Sequence, residues 1–172
     1  MKKVSLVLFL FAMSMAASAQ NNGRSFNRSV ITVSVDGLNC STTLGSGVFP
    51  ALSWTFAASE AVSNTGSGGS AGKPVLSTVN VTKRADSCSP RLFNDVVTGR
   101  RVKTVTIVQE NTRSEIFTVT LSNVIISSYQ IGGDQSGELP TEQISFTFSS
   151  ICLADSQSGT KTCYNSATGT TL

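Results

Sequence analysis

The side chains of this chain that could do chemistry concentrate in residues 82–101, TKRADSCSPRLFNDVVTGRR. This stretch gathers charged side chains and a cysteine within a sequence that otherwise alternates apolar and polar residues. The chain has 172 residues and no histidine. Catalysis by a serine–histidine or cysteine–histidine pair is therefore excluded, because both need an imidazole as general base.

Acid–base chemistry with carboxylates is the other possibility that the composition raises. Hydrolysis by paired carboxylates needs two acids in one cleft with separated pKa values. The ten acidic residues are scattered, mostly in turns and at strand ends. Four of them are interpreted as salt-bridging or loop-pinning groups: Asp36, Asp86, Glu138 and Glu142. Trp54, the only tryptophan, is interpreted as a core residue rather than a carbohydrate platform. The sequence predicts neither an enzyme nor a bound cofactor.

The first 19 residues are typical of a secretory signal peptide. Lys2 and Lys3 precede an apolar run that is too short to span a bilayer, and Ala-Ser-Ala at residues 17–19 fits the cleavage rule. We expect a bacterial protein that is secreted or periplasmic, with no stable membrane insertion after cleavage. Without the two lysines the net charge falls from +3 to +1, which offers no attraction for nucleic acid.

The four cysteines, Cys40, Cys88, Cys152 and Cys163, all follow the predicted signal. An even number of cysteines in an exported chain favours disulfides. Three pairings are possible, and the short separation of Cys152 and Cys163 favours that pair, which leaves Cys40 with Cys88. A disulfide between Cys152 and Cys163 would stabilise the fold by about 3 kcal/mol. Zinc is disfavoured because the chain lacks both a C-x-x-C pair and histidine.

Apolar–polar alternation predicts strands over residues 30–35, 51–58, 75–83, 102–109, 116–126 and 141–152. Their expected core faces comprise Ile31, Val33 and Val35; Leu52, Trp54 and Phe56; Phe117, Val119 and Leu121; and Ile144, Phe146 and Phe148. The predicted fold is mainly β, a six-stranded antiparallel barrel or two-sheet sandwich with one short flanking helix. This domain covers residues 30–153, between a flexible leader at 20–29 and a polar tail at 154–172 that we expect to be mobile beyond Cys163.

The helix is predicted over residues 90–98. Ser89 is a suitable N-cap, Pro90 suits the first helical position, and Gly99 suits the C-terminal stop. A helix of this length is marginal alone, so its apolar stripe should pack on the barrel. The stripe consists of Leu92, Phe93, Val96 and Val97.

Residues 63–72, SNTGSGGSAG, form a low-complexity segment between predicted strands. Such a segment buries too little apolar area to offset its ordering entropy, so it is predicted as a long flexible connection within the domain. The sequence GSGGSAGK that ends at Lys73 departs from a phosphate-binding loop, because Pro74 stands where serine or threonine is needed.

Two blocks of sequence resemble the Hcp family, the haemolysin-coregulated proteins of type VI secretion. The first block, TKRADSCSPRLFNDVVTGRRVKTVTI, matches the family pattern at Thr82, Lys83, Asp86, Ser89, Pro90, Leu92 and Gly99. The second, SSYQIGGDQSGELPTEQISFTF, matches it at Ser128, Tyr129, Gly137, Glu138, Pro140, Glu142, Phe146 and Phe148. The strand VFPALSWTF is also similar to a family segment, and the resemblance covers residues 30–152.

The resemblance implies a non-catalytic structural protein whose hexameric rings stack into a tube that carries or chaperones effectors. Its partners would be further copies of itself, effector proteins and other secretion-system components. The connection at residues 63–72 would reach a neighbouring subunit, with candidate interface residues Ser63, Asn64, Gly66, Gly69 and Lys73. The alternative is an exported monomeric binding or adhesin-like module on the same fold.

Overall fold

The structure is a computed structural model, and it describes residues 29–60, 62–63, 70–71, 73–135 and 137–172. The predicted signal peptide, and the predicted leader before Ser29, lie outside the described residues. None of the described residues forms a helix long and apolar enough to cross a membrane.

Strands dominate the described residues, which also contain one helix, α1 (Ser89–Thr98). The strands before the helix are β1 (Val30–Val35), β2 (Ser41–Thr42), β3 (Gly45–Ser46), β4 (Val48–Ala51), β5 (Ser53–Thr55), β6 (Ala58–Ser59), β7 (Val62–Ser63), β8 (Ser70–Ala71), β9 (Val75–Leu76) and β10 (Val79–Arg84). The strands after it are β11 (Arg101–Glu110), β12 (Ile116–Gly132), β13 (Thr141–Thr147), β14 (Ser150–Asp155), β15 (Lys161–Asn165) and β16 (Thr170–Thr171).

The main sheet is antiparallel throughout, and its pairing path runs β4–β1–β11–β12–β13–β10–β5. Only Leu52 separates β4 from β5, so the path begins and ends on one continuous stretch of chain. The Leu52 N–H donates to the carbonyl of Thr82 at 2.7 Å across this bend. Counting β4 and β5 as one bent strand, six strands form this path, and the mainly β, antiparallel fold agrees with the prediction.

Strand β12 is the longest strand and holds two parts of the fold together. Its first half pairs with β14 and its second half with β13, while β11 pairs along most of its other edge. The partner on that edge changes between Ser122 and Ile125, where Asn123 has a positive φ of 51°. A β-bulge between Ile126 and Ser128 lies within the pairing with β13, and its extra residue shifts the alternation of side chains along β12.

The core lies on the inward faces that alternation predicts. Val33, Val35, Val119, Ile144 and Phe146 are all buried, as expected. Two predicted core positions are exposed: Leu52, at the bend between β4 and β5, by 48%, and Phe117, at its strand's outer end, by 37%. Four others, Ile31, Trp54, Phe56 and Phe148, are half-buried and pack against the core. The two exposed residues lie where strands bend or end, so alternation alone does not fix their environment.

The polar C-terminal tail, which we expected to be mobile beyond Cys163, contains paired strands. Residues 161–172 form the C-terminal hairpin, in which β15 pairs with β14 and β16 pairs with β15. The hairpin therefore extends the main sheet beyond the predicted domain limit at residue 153. Backbone pairing and a disulfide order this segment despite its polar composition.

Candidate functional site

Charged residues of the two motif blocks meet in the interior. The Lys83 Nζ lies 2.8 Å from Asp86 Oδ1, 3.0 Å from Glu142 Oε2 and 3.2 Å from Ser89 Oγ. The Tyr129 hydroxyl donates to the other oxygen of Glu142 at 2.8 Å. We call these five residues the buried ionic cluster, since neither Lys83 nor Glu142 has any exposed side-chain surface.

Strand alternation directs the two oppositely charged side chains inward. Lys83 follows Val79 and Val81 on the buried face of β10, and Glu142 precedes Ile144 on the buried face of β13. Lys83 and Glu142 are direct partners in the antiparallel register of these strands. Cross-strand partners have adjacent Cβ atoms, so the register itself brings the two charges together.

Asp86 lies in the turn before α1, and Ser89 is the first residue of the helix. The Asp86 carboxylate accepts the Cys88 N–H at 2.8 Å, and Ser89 Oγ accepts the Asp86 N–H at 2.8 Å. The predicted N-cap role of Ser89 is therefore wrong: Cys88 occupies the cap without a side-chain hydrogen bond. Ser89 begins the helix instead, because its hydroxyl is engaged by Lys83 and by the preceding turn.

The surroundings of the Tyr129 hydroxyl keep it protonated. Burial raises the pKa of Tyr129 well above its usual value, and the hydrogen bond to Glu142 and the charge of that carboxylate raise it further. Tyr129 thus stays a donor. The Lys83 ammonium also lies 5.2 Å from the centre of the Phe49 ring, a favourable cation–π contact.

The buried ionic cluster joins several elements, and of its charged side chains only that of Asp86 is exposed, by 24%. Its members come from β10, β12, β13 and the start of α1, and its charges are paired with one another. One oxygen, Asp86 Oδ2, has no hydrogen-bond partner among the described residues. A buried charge pair of this kind specifies how elements meet, since breaking it is costly. The arrangement is structural, and it agrees with the interpretation of Asp86 and Glu142 as salt-bridging residues.

Helix α1 packs differently from the predicted stripe. Leu92 is fully buried and Val96 half-buried, but Phe93 and Val97 are 53% and 62% exposed. The buried face also includes Asp95, whose carboxylate receives two 2.6 Å hydrogen bonds from the Arg100 guanidinium. That pairing raises the pKa of Arg100. This pair was not predicted from the sequence, although only four residues lie between its members across the helix end.

The helix ends at Gly99, as predicted. Gly99 adopts a left-handed conformation with φ of 61°, and its N–H donates to the Val96 carbonyl. The next N–H, of Arg100, donates to the Asp95 carbonyl at 3.0 Å. These bonds satisfy carbonyl groups that the helix end would otherwise leave without partners.

The remaining motif residues lie around the buried ionic cluster without entering it. Thr82 and Pro140 contribute backbone carbonyls, which accept the N–H groups of Leu52 and Ala85. Glu138 pairs with Arg84 at the exposed surface. Pro90 is exposed in the first turn of the helix. These positions therefore support the turns that join β10 to α1 and β12 to β13.

Two disulfides join the cysteines in the expected pairs, Cys40 with Cys88 and Cys152 with Cys163. The first connects the loop after β1 to the residue that precedes α1, directly beside the buried ionic cluster. The second joins directly paired positions of β14 and β15. No group of His, Cys, Asp or Glu among the described residues could hold a metal ion.

The predicted flexible connection begins and ends as paired backbone. Strands β6 and β9 form one ladder and β7 and β8 a second, so the described parts of residues 58–76 form a two-stranded arm. Of the candidate interface residues, Ser63 lies in β7 and Lys73 is exposed at the base of the arm. Asn64, Gly66 and Gly69 lie outside the described residues.

Trp54 packs against the core, as interpreted, but at its margin. Its Nε1–H donates to Gln109 Oε1 at 2.9 Å, and its ring stacks on Phe117 with centroids 6.2 Å apart. An open cleft of about 660 Å³ begins at Phe117 and Gln109 and is also lined by Asn111, Glu115, Asp155 and Gln157.

The structure is similar to solved structures of type VI secretion proteins. It matches "crystal structure of Hcp1 from Salmonella typhimurium" with a TM-score of 0.71 at 18% identity, covering 84% of this chain and 99% of that one. A "type VI secretion system effector from Yersinia pestis" gives a TM-score of 0.62 at 20% identity, covering 78% and 98%. The secreted protein Hcp3 from Pseudomonas aeruginosa gives 0.57 at 16% identity, covering 81% and 97%. At such identities these likenesses establish the fold.

No curated protein matches the chain. The family model described as "Type VI secretion system effector, Hcp" matches residues 41–154, well over half of the sequence. This region contains the buried ionic cluster and the whole of α1. The chain therefore belongs to the Hcp family, the structural tube proteins of type VI secretion, which are not enzymes.

Proposed function

We propose that this chain is an exported structural subunit that assembles into hexameric rings, and that the rings stack into a tube that carries or chaperones effectors. Family membership supports the structural role. The buried ionic cluster supports it as well, because Lys83, Asp86 and Glu142 pair with one another and join α1 to the main sheet. The partners are further copies of the chain, together with effectors and other components of the secretion system.

The arm at residues 58–76 is the observation that carries the proposal. Its two ladders pair only within the arm among the described residues, and Ala58, Ser59 and Val75 are exposed. A two-stranded ladder on its own is marginally stable in water. Docking on a neighbouring copy would bury Val75 and stabilise the pairing. Of the candidate interface residues, Ser63 and Lys73 would then contact the neighbour, and we propose the same for Asn64, Gly66 and Gly69, which lie outside the described residues.

Further exposed apolar side chains support contacts between copies. Phe93 and Val97 on α1, Ile131 at the end of β12 and Leu139 before β13 are each more than half exposed. Phe93 also contacts the Tyr129 ring, with centroids 5.9 Å apart, which places the α1 surface beside the second half of β12. Groups of exposed apolar residues often mark interaction surfaces.

The disulfides support assembly outside the cytoplasm. Both bonds require an oxidising compartment to persist, which agrees with the predicted signal peptide at residues 1–19. We propose that the chain is secreted or periplasmic after cleavage of that segment. Rings of this chain would then form after export.

Ring formation is tested on the protein purified after export, by native mass spectrometry and negative-stain imaging over a concentration series. We expect six-membered rings that stack at higher concentration. Val75→Asp should raise the concentration for half-assembly about tenfold or more, the effect of losing about 1.4 kcal/mol. Leu172→Asp is the matched control, since Leu172 is 74% exposed at the C-terminus. A strictly monomeric protein at millimolar concentration would refute the proposal.

The cleft beside Trp54 favours a second candidate, an exported monomeric binding module. An exposed aromatic ring with neighbouring amide and carboxylate side chains suits a polar ligand such as a saccharide. A glycan array probed with the purified protein tests this candidate. Binding that is lost in Phe117→Ala, by a protein that remains monomeric, would favour it over the ring.

A further inference from the structure

Strand β14 would be an open edge of the main sheet if the chain ended with the family region. The family match ends at Ala154, within β14, so the C-terminal hairpin lies outside it. One edge of β14 pairs with β12 along six positions. The other edge pairs only with β15 among the described residues. The hairpin therefore covers an edge at which the matched region of the sheet ends.

The sequence of β14 makes an uncovered edge a strong template for pairing. The strand reads SICLAD, and its only charge is at Asp155. Short apolar strands with unpaired N–H and C=O groups tend to pair with other chains. In an antiparallel pairing of two β14 strands, Asp155 would face Ser150 of the other copy. Like charges would therefore not oppose the association.

The C-terminal hairpin covers this edge with backbone, side-chain and covalent contacts. Five residue pairs join β14 to β15, and the disulfide joins the central pair, Cys152 and Cys163. The Asp155 carboxylate accepts hydrogen bonds from the Gln157 N–H and from the N–H and hydroxyl of Ser158. These bonds order the turn between β14 and β15.

The new edge of the sheet is short and polar. Strand β16 contributes only two residues, Thr170 and Thr171, and β15 begins with the exposed Lys161. Short edge strands and lysine are the devices that proteins use against edge-to-edge association. The outer edge of the sheet is therefore the short, polar edge of the hairpin, which resists pairing, and not the apolar edge of β14.

We propose that the C-terminal hairpin is an edge cover, which prevents β14 from pairing with β14 of a second copy. The disulfide between Cys152 and Cys163 keeps the cover in place. This inference is independent of ring formation, because pairing at an open edge gives sheet-mediated species that differ from closed rings of six.

Removal of the disulfide tests the edge cover in the full exported protein. Cys152→Ala/Cys163→Ala is compared with wild type and with the matched control Cys40→Ala/Cys88→Ala, which lacks the other disulfide. Hydrogen exchange read by mass spectrometry should accelerate in β15 of the first variant only, by up to about 100-fold, the loop-closure factor for this separation. Analytical ultracentrifugation should detect new dimers and larger species of that variant alone.

A second variant and a rescue separate the cover from the disulfide. Thr162→Pro keeps both disulfides and removes one donor of β15, so it should also give sheet-mediated species. A peptide of residues 160–172 with alanine at position 163 should suppress association of Cys152→Ala/Cys163→Ala. The proposal is overturned if β15 exchange stays slow without the disulfide, or if β15 opens while the association state equals that of wild type.

Discussion

Replacement of Lys83 by methionine should destabilise the fold far more than a typical substitution. Methionine has a similar length and is apolar, so the change removes the cation and little volume. Glu142 and Asp86 would then lose their ammonium partner, and Glu142 has no exposed surface. Breaking a buried charge pair by removing one partner costs about 3–5 kcal/mol. This is a large part of the usual stability of a domain, about 5–15 kcal/mol.

Urea unfolding followed by Trp54 fluorescence measures the loss, with both disulfides intact. With an m value of about 2 kcal/mol per M, the midpoint should fall by about 2 M. Glu142→Gln supplies the informative comparison. In the wild-type background it should destabilise, because Lys83 loses one of its two carboxylates. In the Lys83→Met background it should stabilise, because it removes a buried charge that has lost its partner.

The contact between Lys83 and Glu142 requires that the effect of Glu142→Gln on stability change sign between the two backgrounds. A cycle in which Glu142→Gln has the same effect in both backgrounds would refute the coupling of the two side chains. A loss below about 1 kcal/mol for Lys83→Met alone would be within the range of exposed pairs. That outcome would refute the assignment of the buried ionic cluster as the contact that holds α1 on the main sheet.

Further predictions follow from individual residues. Tyr129→Phe should cost about 1–3 kcal/mol by removing a donor to a buried carboxylate, whereas Tyr164→Phe should cost little, since that hydroxyl has no partner among the described residues. Because the pKa of Tyr129 is raised in the folded state, its contribution to the free energy of unfolding is present below pH 10.0 and is lost as pH rises towards the folded pKa. Urea titrations at pH 8 and pH 11 should therefore show that Tyr129→Phe loses less stability at the higher pH than wild type does. Gly99→Ala should cost about 1 kcal/mol in urea unfolding, because φ is 61° there. Hydrogen bonds from Ser158 and Gln157 lower the pKa of Asp155, so an NMR titration of Ser158→Ala should give a higher carboxyl midpoint than wild type, and an unchanged midpoint would contradict the turn geometry.

Local patterns predicted the elements that depend on near neighbours. Residues 30–35 alternate and form β1 within the same limits, and Gly99 ends the helix. The Cys152–Cys163 pairing also followed from short separation in sequence. In each case the physical cause acts within a few residues or within one loop.

Other features depend on contacts that the sequence does not display. Lys83 and Glu142 meet because of the register of β10 and β13, although 59 residues separate them. That contact diverts Ser89 from its expected cap role. Phe93 is exposed because Leu92 and Asp95 define the buried face of α1, and an aspartate on that face is intelligible only with Arg100 as its partner. The C-terminal hairpin was missed because its order comes from pairing with β14 and not from apolar composition.

The cross-strand disulfide also sets how the chain would bear a mechanical load. A pull on the C-terminus can peel off β16 and extend the residues after Cys163, and the force then passes through the disulfide into Cys152 of β14. From there it acts on the six paired positions that join β14 to β12. Tension applied at the tail would thus bypass the turn at residues 156–160 and reach the longest strand of the sheet directly. A molecule tethered to this end would be held by the main sheet itself rather than by a strand that unzips.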